Sequence, residues 1–552
     1  SYSSLSVTAG TVIGSTESLR GPIANDAAVI FDQDTDGTYS GSMSGVGTLA
    51  KAGSGVLTLS GANGYSGGTT VSAGTLVGTT DSLQGAIVND AAVRFDQNSA
   101  GTFAGILSGA GTLEKAGTGT VSLTGNNSYS GDTILSAGSL ELGSANALGN
   151  GGTIRFDGGA LRFTAANTAD PSGRFATAPS QRFRIDTNGQ DVVLAADLSS
   201  EGGSLTKLGA GVLTLSGSGN LSAGTTLSGG TLELGNAGAL GAVGAITFGG
   251  GSLRFTSADT TDYSGRFSSV AGQRFAIDTN GQDVSFAASL VSVGGTLVKT
   301  GAGTLVLGGA SAYSGGTSVV GGTLVANDPL AFGTGAVTVE SGATIDVTGQ
   351  RIANAIVNRG GTVTGVTTLS GDVAGGQTFN DVTLADNATI TDGTTIFTAP
   401  VSGDVAIQSG AAATFSDVVN AALAVDGDVT FQAPVSAAAS LDVASGGSVL
   451  FGDGSSYAGA EIVNDGSIVV DTASVVTLGS GITGGGELTI AGGAALLGGP
   501  VAVPVSIQSG ANATFADTVN AALSVAGGAT IAGPAGSATA IDVAATGTLT
   551  FA

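Results

Sequence analysis

The sequence predicts an all-β chain that folds as an elongated, single-stranded parallel β-helix, or β-solenoid. Short runs of alternating apolar and polar residues, bounded by Gly, Asn or Asp, recur along the chain, for example at Val56–Leu59, Thr153–Phe156 and Gly446–Phe451. Such runs are typical of β-strands between tight turns. Gly accounts for 97 of the 552 residues and charged residues for only 10%, and whole blocks of sequence repeat at fixed distances. Together these features favour stacked β-coils over a helical or mixed domain.

Composition excludes several classes of protein. Hydrophobic residues make up 41% of the chain and the mean hydropathy is +0.37, which is too apolar for a disordered chain. Cys and His are absent, so disulfides, Cys/His metal sites and catalytic triads of the Ser-His-Asp or Cys-His type are ruled out. We expect no cofactor and no metal. The lack of Cys also suits a chain that crosses a periplasm unfolded.

The net charge of −25 is unevenly distributed, because no Lys or Arg follows Arg359 whereas 16 Asp and Glu do. Nucleic acid is therefore an implausible partner, since phosphate contacts need basic side chains. We favour the interpretation that the acidity keeps an apolar-rich surface dispersed over specific calcium binding. Neither a signal peptide nor a membrane-spanning apolar stretch is visible in the sequence. We expect the chain to be a mature or cut piece of a longer precursor.

Three families of internal repeats organise the chain. Ser18–Gln33 recurs as Ser82–Gln97, and Gln181–Val192 recurs as Gln273–Val284. A third family pairs Ile407–Gly410 and Phe415 with Ile507–Gly510 and Phe515. Duplication of whole coils leaves a stack intact, because each coil touches only its neighbours. We divide the chain into 1–325, with the 64- and 92-residue repeats, and 326–552, a continuing acidic solenoid with the 100-residue repeat.

A tighter motif runs through the first two families and carries every lysine of the chain. From Gly47 it reads Gly-Thr-Leu-Ala-Lys-Ala-Gly-Ser-Gly-Val-Leu-Thr-Leu, and further copies begin at Gly111, Gly203 and Gly295. Its lysines are Lys51, Lys115, Lys207 and Lys299. A lysine confined to one motif position could mark a binding face. We favour a structural role, in which the stem lies over apolar surface at a coil corner and the ammonium meets solvent or carbonyls.

Tyrosine recurs in the same motif at Tyr65, Tyr129 and Tyr313, with Leu221 in its place in the third copy. Because Leu has no hydroxyl, packing is the favoured common role of this position.

The pattern of Gly-Thr-Leu, Lys, Gly-x-Gly, Leu-x-Leu, Asn and Tyr resembles the passenger-associated transport repeat, also called the autotransporter-associated β-strand repeat, of Gram-negative autotransporters. The resemblance covers residues 40–325. It implies a right-handed β-helix passenger at the bacterial cell surface or in the extracellular space, with the repeat linked to efficient secretion rather than to ligand chemistry. It also implies that the chain meets a membrane only through a separate barrel or anchor.

Carboxylates suitable for glycoside hydrolysis recur as two pairs, Asp186 with Asp191 and Asp278 with Asp283. Both pairs lie beside Asn-Gly, which favours a turn over a catalytic dyad. We therefore expect no enzymatic activity.

A basic cluster of Arg174, Arg182 and Arg184 partly recurs as Arg266 and Arg274. An acidic glycan could bind these arginines. We favour a solvated or ion-paired face beside the neighbouring aspartates.

The leading functional hypothesis is a surface-displayed passenger that mediates adhesion, autoaggregation or biofilm contact. Its expected partners are other copies of itself or neighbouring cell surfaces, with glycans as a further possibility. The alternative is a structural subunit that assembles into an extracellular filament, sheath or surface layer, since neither end of the sequence shows an obvious polar cap. A polysaccharide-active enzyme on the same scaffold is the weakest of the three hypotheses.

Overall fold

Parallel strands stacked coil on coil make up the structure. Val93, for example, pairs in parallel with Leu76 of the preceding coil and with Leu113 of the following coil. The predicted all-β parallel β-solenoid is confirmed, whereas its right-handed winding and elongated shape stay predictions. A computed structural model describes residues 3–350, 352, 354, 356–359, 361–364, 367–369, 372–373, 377–379, 382–384, 388–391, 393–398, 400–435, 440–534, 536 and 538–552.

The structure divides into two units. The first contains Ser1–Thr261 and Arg266–Ser268, and the second contains Asp262–Gly265 and Ser269–Ala552. The boundary placed between residues 325 and 326 rests on sequence repeats and stays a prediction. No helix in the described part of the chain has the length and hydropathy that a transmembrane span requires.

The first unit has short strands of two to five residues and one 3-10 turn, Ser172–Arg174. Its strands are Leu5–Val7, Thr11–Gly14, Ile23–Asn25, Ala28–Asp32, Gly37–Tyr39, Met43–Ser44, Thr48–Ala52, Val56–Leu59, Thr69–Val71, Thr75–Gly78, Ile87–Asn89, Ala92–Asp96, Gly101–Phe103, Leu107–Ser108, Thr112–Ala116, Thr120–Leu123, Thr133–Leu135, Ser139–Leu142, Ile154–Phe156, Ala160–Arg162, Arg182–Asp186, Val192–Leu194, Leu198–Ser200, Ser204–Leu208, Val212–Leu215, Gly219–Leu221, Gly224–Leu227, Thr231–Leu234, Ile246–Phe248 and Ser252–Arg254.

A second 3-10 turn spans Ser264–Arg266. The strands of the second unit are Arg274–Asp278, Val284–Phe286, Thr296–Thr300, Thr304–Leu307, Thr317–Val319, Gly322–Ala326, Val337–Glu340, Ala343–Asp346, Ile356–Arg359, Thr362–Thr364, Thr367–Leu369, Asp372–Val373, Gln377–Phe379, Val382–Leu384, Ala388–Ile390, Gly393–Phe397, Val401–Ser402, Val405–Ile407, Ala411–Phe415, Val419–Asn420, Leu423–Val425, Asp428–Phe431, Pro434–Val435, Leu441–Val443, Ser448–Phe451, Ser456–Tyr457, Ile462–Asn464, Ser467–Val470, Val475–Leu478, Ile482–Thr483, Glu487–Ile490, Ala494–Leu497, Val505–Ile507, Asn512–Phe515, Leu523–Val525, Gly528–Ile531, Ile541–Val543 and Thr548–Phe551.

Coil length varies along the chain. A short coil separates Thr367 from its pairing partner Val382, whereas a distinctly longer one separates Leu161 from its partner Ile185. The longer coil contains the 3-10 turn Ser172–Arg174. Because strands can keep their register while the turns between them lengthen, extra residues are accommodated without breaking the stack.

The interior consists of side chains stacked in register, since alternate residues of each strand point inward. In the second unit, Phe397, Phe415, Phe431 and Phe451 occupy one inward column and are at most 1% exposed. Their successive ring centroids are 5.0, 5.6 and 5.1 Å apart, with nearly parallel ring planes. Each ring is thus packed against the rings of the neighbouring coils.

Many acidic residues lie in turns, where they cap the coil that follows. Asp34 Oδ1 accepts the backbone N–H of Ser54 at 2.8 Å, and Asp465 Oδ1 accepts that of Gly485 at 2.7 Å. The first of these bonds, together with one from the Ser54 hydroxyl, lowers the pKa of Asp34. Part of the acidity of the chain therefore serves the stacking of its turns.

Removing one ring from the phenylalanine column should destabilise the second unit. We expect Phe431→Ala to lower the free energy of unfolding by about 3–5 kcal/mol, because the neighbouring rings keep an unfilled gap between them. Urea unfolding followed by circular dichroism measures the effect. Thr430→Ala, on the outward side of the same strand, is the matched control and should change stability by less than about 0.5 kcal/mol. Equal effects of the two substitutions would contradict the packing role of the column.

Candidate functional site

The four lysines of the repeated motif lie inside the solenoid. Each is the fourth residue of a five-residue strand, namely Thr48–Ala52, Thr112–Ala116, Ser204–Leu208 or Thr296–Thr300. That position faces inward, and the four side chains are at most 1% exposed. The stem therefore packs within the interior rather than over an outer apolar surface.

Backbone carbonyl oxygens surround the ammonium of Lys51. Its Nζ donates to the carbonyls of Ala52 at 2.6 Å and Gly53 at 2.7 Å, just beyond the strand, and to that of Ala73 at 3.3 Å in the following coil. An ammonium group has three N–H donors and no acceptor, so three carbonyls satisfy it. We call this arrangement of one ammonium and three carbonyls the lysine cage.

The lysine cage is repeated in the other three copies of the motif. In each, the Nζ contacts the carbonyls of the two residues that follow the lysine and a third carbonyl in the next coil. The contacts are Lys115 with Ala116, Gly117 (2.9 Å) and Ala137 (3.3 Å), Lys207 with Leu208 (2.9 Å), Gly209 (2.7 Å) and Gly229 (3.1 Å), and Lys299 with Thr300 (2.9 Å), Gly301 (2.8 Å) and Gly321 (2.9 Å). One side chain thus ties two successive coils together.

A glycine completes each cage from the following coil. A Cβ built on Gly74 would lie 2.8 Å from the Nζ of Lys51, and its φ of +66° is one that L side chains rarely adopt. A glycine stands at the same spacing after the lysine in all four copies, at Gly74, Gly138, Gly230 and Gly322, and each would bring a Cβ within 2.7–2.8 Å of the ammonium. This pairing of lysine with glycine was not predicted from the sequence, although the constant spacing between the two residues could have revealed it.

Burial sets the electrostatics of the cages. It lowers the pKa of Lys115, Lys207 and Lys299 to about 8, because the ammonium is removed from water. The pKa of Lys51 is lowered for the same reason. The carboxylate of Asp96, the last residue of the strand Ala92–Asp96, acts in the opposite direction and raises the pKa of Lys115.

One lysine cage also contains a hydroxyl. Lys207 Nζ donates to Thr187 Oγ1 at 2.8 Å, a pairing that elsewhere activates a nucleophile. Here the Thr187 hydroxyl itself donates to the carbonyl of Ala210, and both side chains are 0% exposed. No substrate can approach this pair, so the arrangement belongs to the packing of the coil.

The recurring tyrosines are buried, and each hydroxyl bonds to a threonine that follows it closely in the chain. Tyr65, Tyr129 and Tyr313 are at most 1% exposed. Their hydroxyls lie 2.7, 2.8 and 2.6 Å from Oγ1 of Thr69, Thr133 and Thr317. In the third copy Leu221 is the buried residue at this position, and the buried Oγ1 of Thr225 is left without a hydrogen-bond partner.

Two of the five candidate arginines are engaged within the fold. Arg174 donates to the carbonyls of Leu148, Gly151 and Gly152, and Arg266 donates in the same way to those of residues 240, 241, 243 and 244. These guanidinium groups bind several backbone carbonyls of one turn in the preceding coil. The structure therefore does not gather Arg174 with Arg182 and Arg184 into one basic face.

The other three arginines point outward from strands. Arg182 and Arg274 are exposed and Arg184 is half-buried. Asp186, on the same strand as Arg182 and Arg184, is paired with Arg162 at 3.6 Å rather than with Arg184. Among the five candidates, donors for an anionic ligand are thus restricted to Arg182, Arg184 and Arg274.

The repeated carboxylate pairs build turns. Asp186 and Asp278 accept the backbone N–H of Asn188 and Asn280, whose φ values of 50° and 48° are left-handed. Asp191 Oδ1 accepts the backbone N–H of Val212 at 2.9 Å, one coil later. These bonds hold the carboxylates in the wall of the solenoid.

A family model described as the passenger-associated-transport-repeat matches residues 49–77, 113–142, 205–234 and 297–326. Each match begins two residues before a caged lysine and extends past the glycine that closes the cage. The resemblance seen in the sequence is therefore confirmed, and the chain carries four of these repeats. Neither curated proteins nor solved structures yield a match. A β-solenoid with such repeats fits an autotransporter passenger, which is a secreted or cell-surface protein.

Stability should rise with pH as the caged lysines lose their protons. In the unfolded chain lysine keeps its proton to about pH 10.4, whereas the folded chain releases it near pH 8. Between these values the unfolded state binds more protons, so the free energy of unfolding increases with pH, by at most about 1.4 kcal/mol per unit for each lysine. Buried tyrosines act oppositely only at higher pH, since burial raises the pKa of Tyr129 to about 12.

Urea unfolding of the chain at a series of pH values between about 7.5 and 9.5 measures this rise in the free energy of unfolding. Lys115→Met should reduce the slope of the free energy of unfolding against pH. It should also lower the free energy of unfolding at pH 7.5, because three carbonyls lose their donor. Arg155→Met, which removes an exposed cation paired with Asp157, is the control and should leave the slope unchanged. A flat or falling profile in the unsubstituted chain would contradict the cage electrostatics.

Thr225 and Thr133 occupy equivalent positions, but only the Thr225 hydroxyl lacks a hydrogen-bond partner. Replacement by valine should therefore change stability in opposite directions at the two positions. Thr225→Val should stabilise the chain by about 1 kcal/mol, because it removes a buried polar atom that lacks a partner. Thr133→Val should destabilise it by about 1–3 kcal/mol, because the Tyr129 hydroxyl is left unsatisfied. Thermal unfolding of both variants provides the comparison, and a loss of stability in Thr225→Val would disprove the assignment.

Proposed function

We propose that this chain, as a solenoid with four passenger-associated transport repeats, is displayed at the cell surface to mediate adhesion, autoaggregation or biofilm contact. The observation that carries the proposal is the repeated lysine cage. Each repeat directs its most distinctive chemical groups into the interior, where they tie coils together. A repeat built this way supports a scaffold whose outer faces are left for contact.

The outer faces support many weak polar contacts. In the first unit Thr206 pairs with Thr226, which pairs with Thr247, so that three hydroxyls follow one another on successive coils. In the second unit Thr530 is flanked by Thr514 and Thr550 along a shallow groove. Such rows present hydroxyls at the strand spacing of about 4.8 Å. Repetition of weak contacts raises overall binding through avidity.

We also propose that the function is not enzymatic. The groups best suited to catalysis in the repeats are consumed by the fold, since the Thr187 and Lys207 pair is closed to solvent. The Asp186 and Asp191 carboxylates hold turns. Binding through extended surfaces accounts for these features more directly than turnover at a pocket.

Cells that display the chain should settle from suspension and attach to a surface faster than cells that display the same anchor without it. A precursor lacking the segment 48–111, one copy of the shorter repeat, should give an intermediate effect, because fewer coils offer fewer contacts. Surface amounts are equalised by antibody labelling before settling is measured. Identical settling with and without the chain would refute the proposal.

A further inference from the structure

One corner of the second unit exposes large apolar side chains. Val293 is 77% exposed and Val270 is 66% exposed, and Val291 and Leu330 are 44% and 50% exposed. Surface valines and leucines that stand alone are ordinary. These residues instead lie on successive turns of the stack, where they follow one another along a single edge.

Hydrogen bonds between the turns fix this alignment. The N–H of Gly272 donates to the carbonyl of Val293 at 2.9 Å, and the Ser292 hydroxyl donates to the carbonyl of Val270 at 2.8 Å. In the next turns, the N–H of Gly294 donates to Ser314 Oγ at 2.9 Å, and the N–H of Ser311 donates to the carbonyl of Leu330 at 3.0 Å. We call this row of Val270, Val291, Val293, Ala312 and Leu330 the apolar corner.

The duplication that pairs Gln181–Val192 with Gln273–Val284 supplies an internal comparison. In the first unit the equivalent turns are joined by the same bonds, from the N–H of Ser180 to the carbonyl of Glu201 and from the Ser200 hydroxyl to the carbonyl of Ala178. The buried serines Ser200 and Ser292 are thus retained. The residues equivalent to the apolar corner are Ala178, Ser199, Glu201, Asn220 and Gly238.

Every difference along this corner replaces a smaller or more polar residue by a more apolar one. Stability does not account for the change, because an exposed apolar side chain gains little from folding while it remains in water. An exposed apolar row is instead typical of a contact surface. The divergence of the two copies therefore points to a contact made by the second copy.

The low net charge around the apolar corner favours a second copy of this chain as the partner. Residues 270–330, which contain the whole apolar corner, carry two basic and three acidic side chains, a net charge of −1, whereas the whole chain has a net charge of −25. Two copies of a strongly acidic chain repel each other, and they approach with less repulsion through a segment whose net charge is close to zero. A row of apolar residues is also self-complementary, as a two-fold interface requires.

We propose that the apolar corner is the surface through which two copies of this chain associate side by side. The inference rests on the proposed function, for which it names the partner and the surface. The row is short, so each contact is weak in solution and gains strength when many copies are displayed together on one cell. Salt should strengthen the association, since it screens the repulsion between the acidic copies.

Sedimentation equilibrium of the purified chain tests the proposal. We expect a monomer–dimer equilibrium that shifts toward dimer as salt is raised. The double variant Val291→Ser with Val293→Glu, which restores the residues of the first copy, should be monomeric at the same concentrations. Val475→Ser is the matched control, because Val475 is a 62% exposed valine elsewhere in the second unit, and it should dimerise as the unsubstituted chain does.

Site-directed cross-linking locates the contact. The chain has no cysteine, so Val293→Cys and Val475→Cys each introduce a single thiol. With a bismaleimide, the Val293→Cys chain should form covalent dimers about tenfold faster than the Val475→Cys chain, because association raises the effective thiol concentration. Equal rates, a dimer that persists in the double variant, or a chain that is monomeric at all salt concentrations would each overturn the proposal.

Loss of the contact at the apolar corner and loss of the adhesive function give different experimental results. If purified chains are monomeric while cells displaying them still settle, the apolar corner is not the contact but the adhesive function stands. If neither cells nor purified chains associate, the adhesive function itself is refuted.

Discussion

The register between successive coils is the constraint on which the rest of the structure depends. Every inward side chain must pack against compatible side chains in the neighbouring coils. Every turn must place the next strand in register with the strand one coil before it. The lysine cage stabilises this register, because one ammonium donates hydrogen bonds to two carbonyls of its own turn and to one carbonyl of the next coil. Gly74 and its equivalents follow from the same constraint, since a Cβ there would collide with the ammonium. The high glycine content of the chain is in part the consequence of packing backbone this closely.

The sequence was sufficient to predict the fold, the four repeats and the special position of the lysines. It did not predict that Lys51 lies inside, because a charged side chain is normally assigned to the surface unless its partners are visible. Those partners are backbone carbonyls, which leave no signature in side-chain chemistry. The same limit applies to Arg174, whose partners are also carbonyls. The Thr225 hydroxyl was equally hidden, since its lack of a partner follows from the replacement of tyrosine by Leu221.

The duplication of Gln181–Val192 and its surroundings separates what the fold needs from what it leaves free. The caged lysines, their glycines and the buried Ser200 and Ser292 are common to both copies. The buried tyrosine position accepts a different side chain. Leu221 replaces tyrosine there, and its strand still pairs with the strand of the preceding coil. Outward positions differ more, and the change from Glu201 to Val293 reverses the chemical character of a turn while its hydrogen bonds are retained. A solenoid can therefore acquire new surfaces without renewing its interior.

The lysine cages also determine how the chain meets other molecules in its surroundings. All of its ε-amino groups are enclosed, because the four lysines of the sequence are the four caged ones. Reagents and enzymes that act on primary amines find no side-chain target on the folded chain, and proteases that cleave after basic residues are left with arginine alone. The placement of one residue type thus shields every ε-amino group of the chain, while exposed arginines such as Arg182 remain accessible.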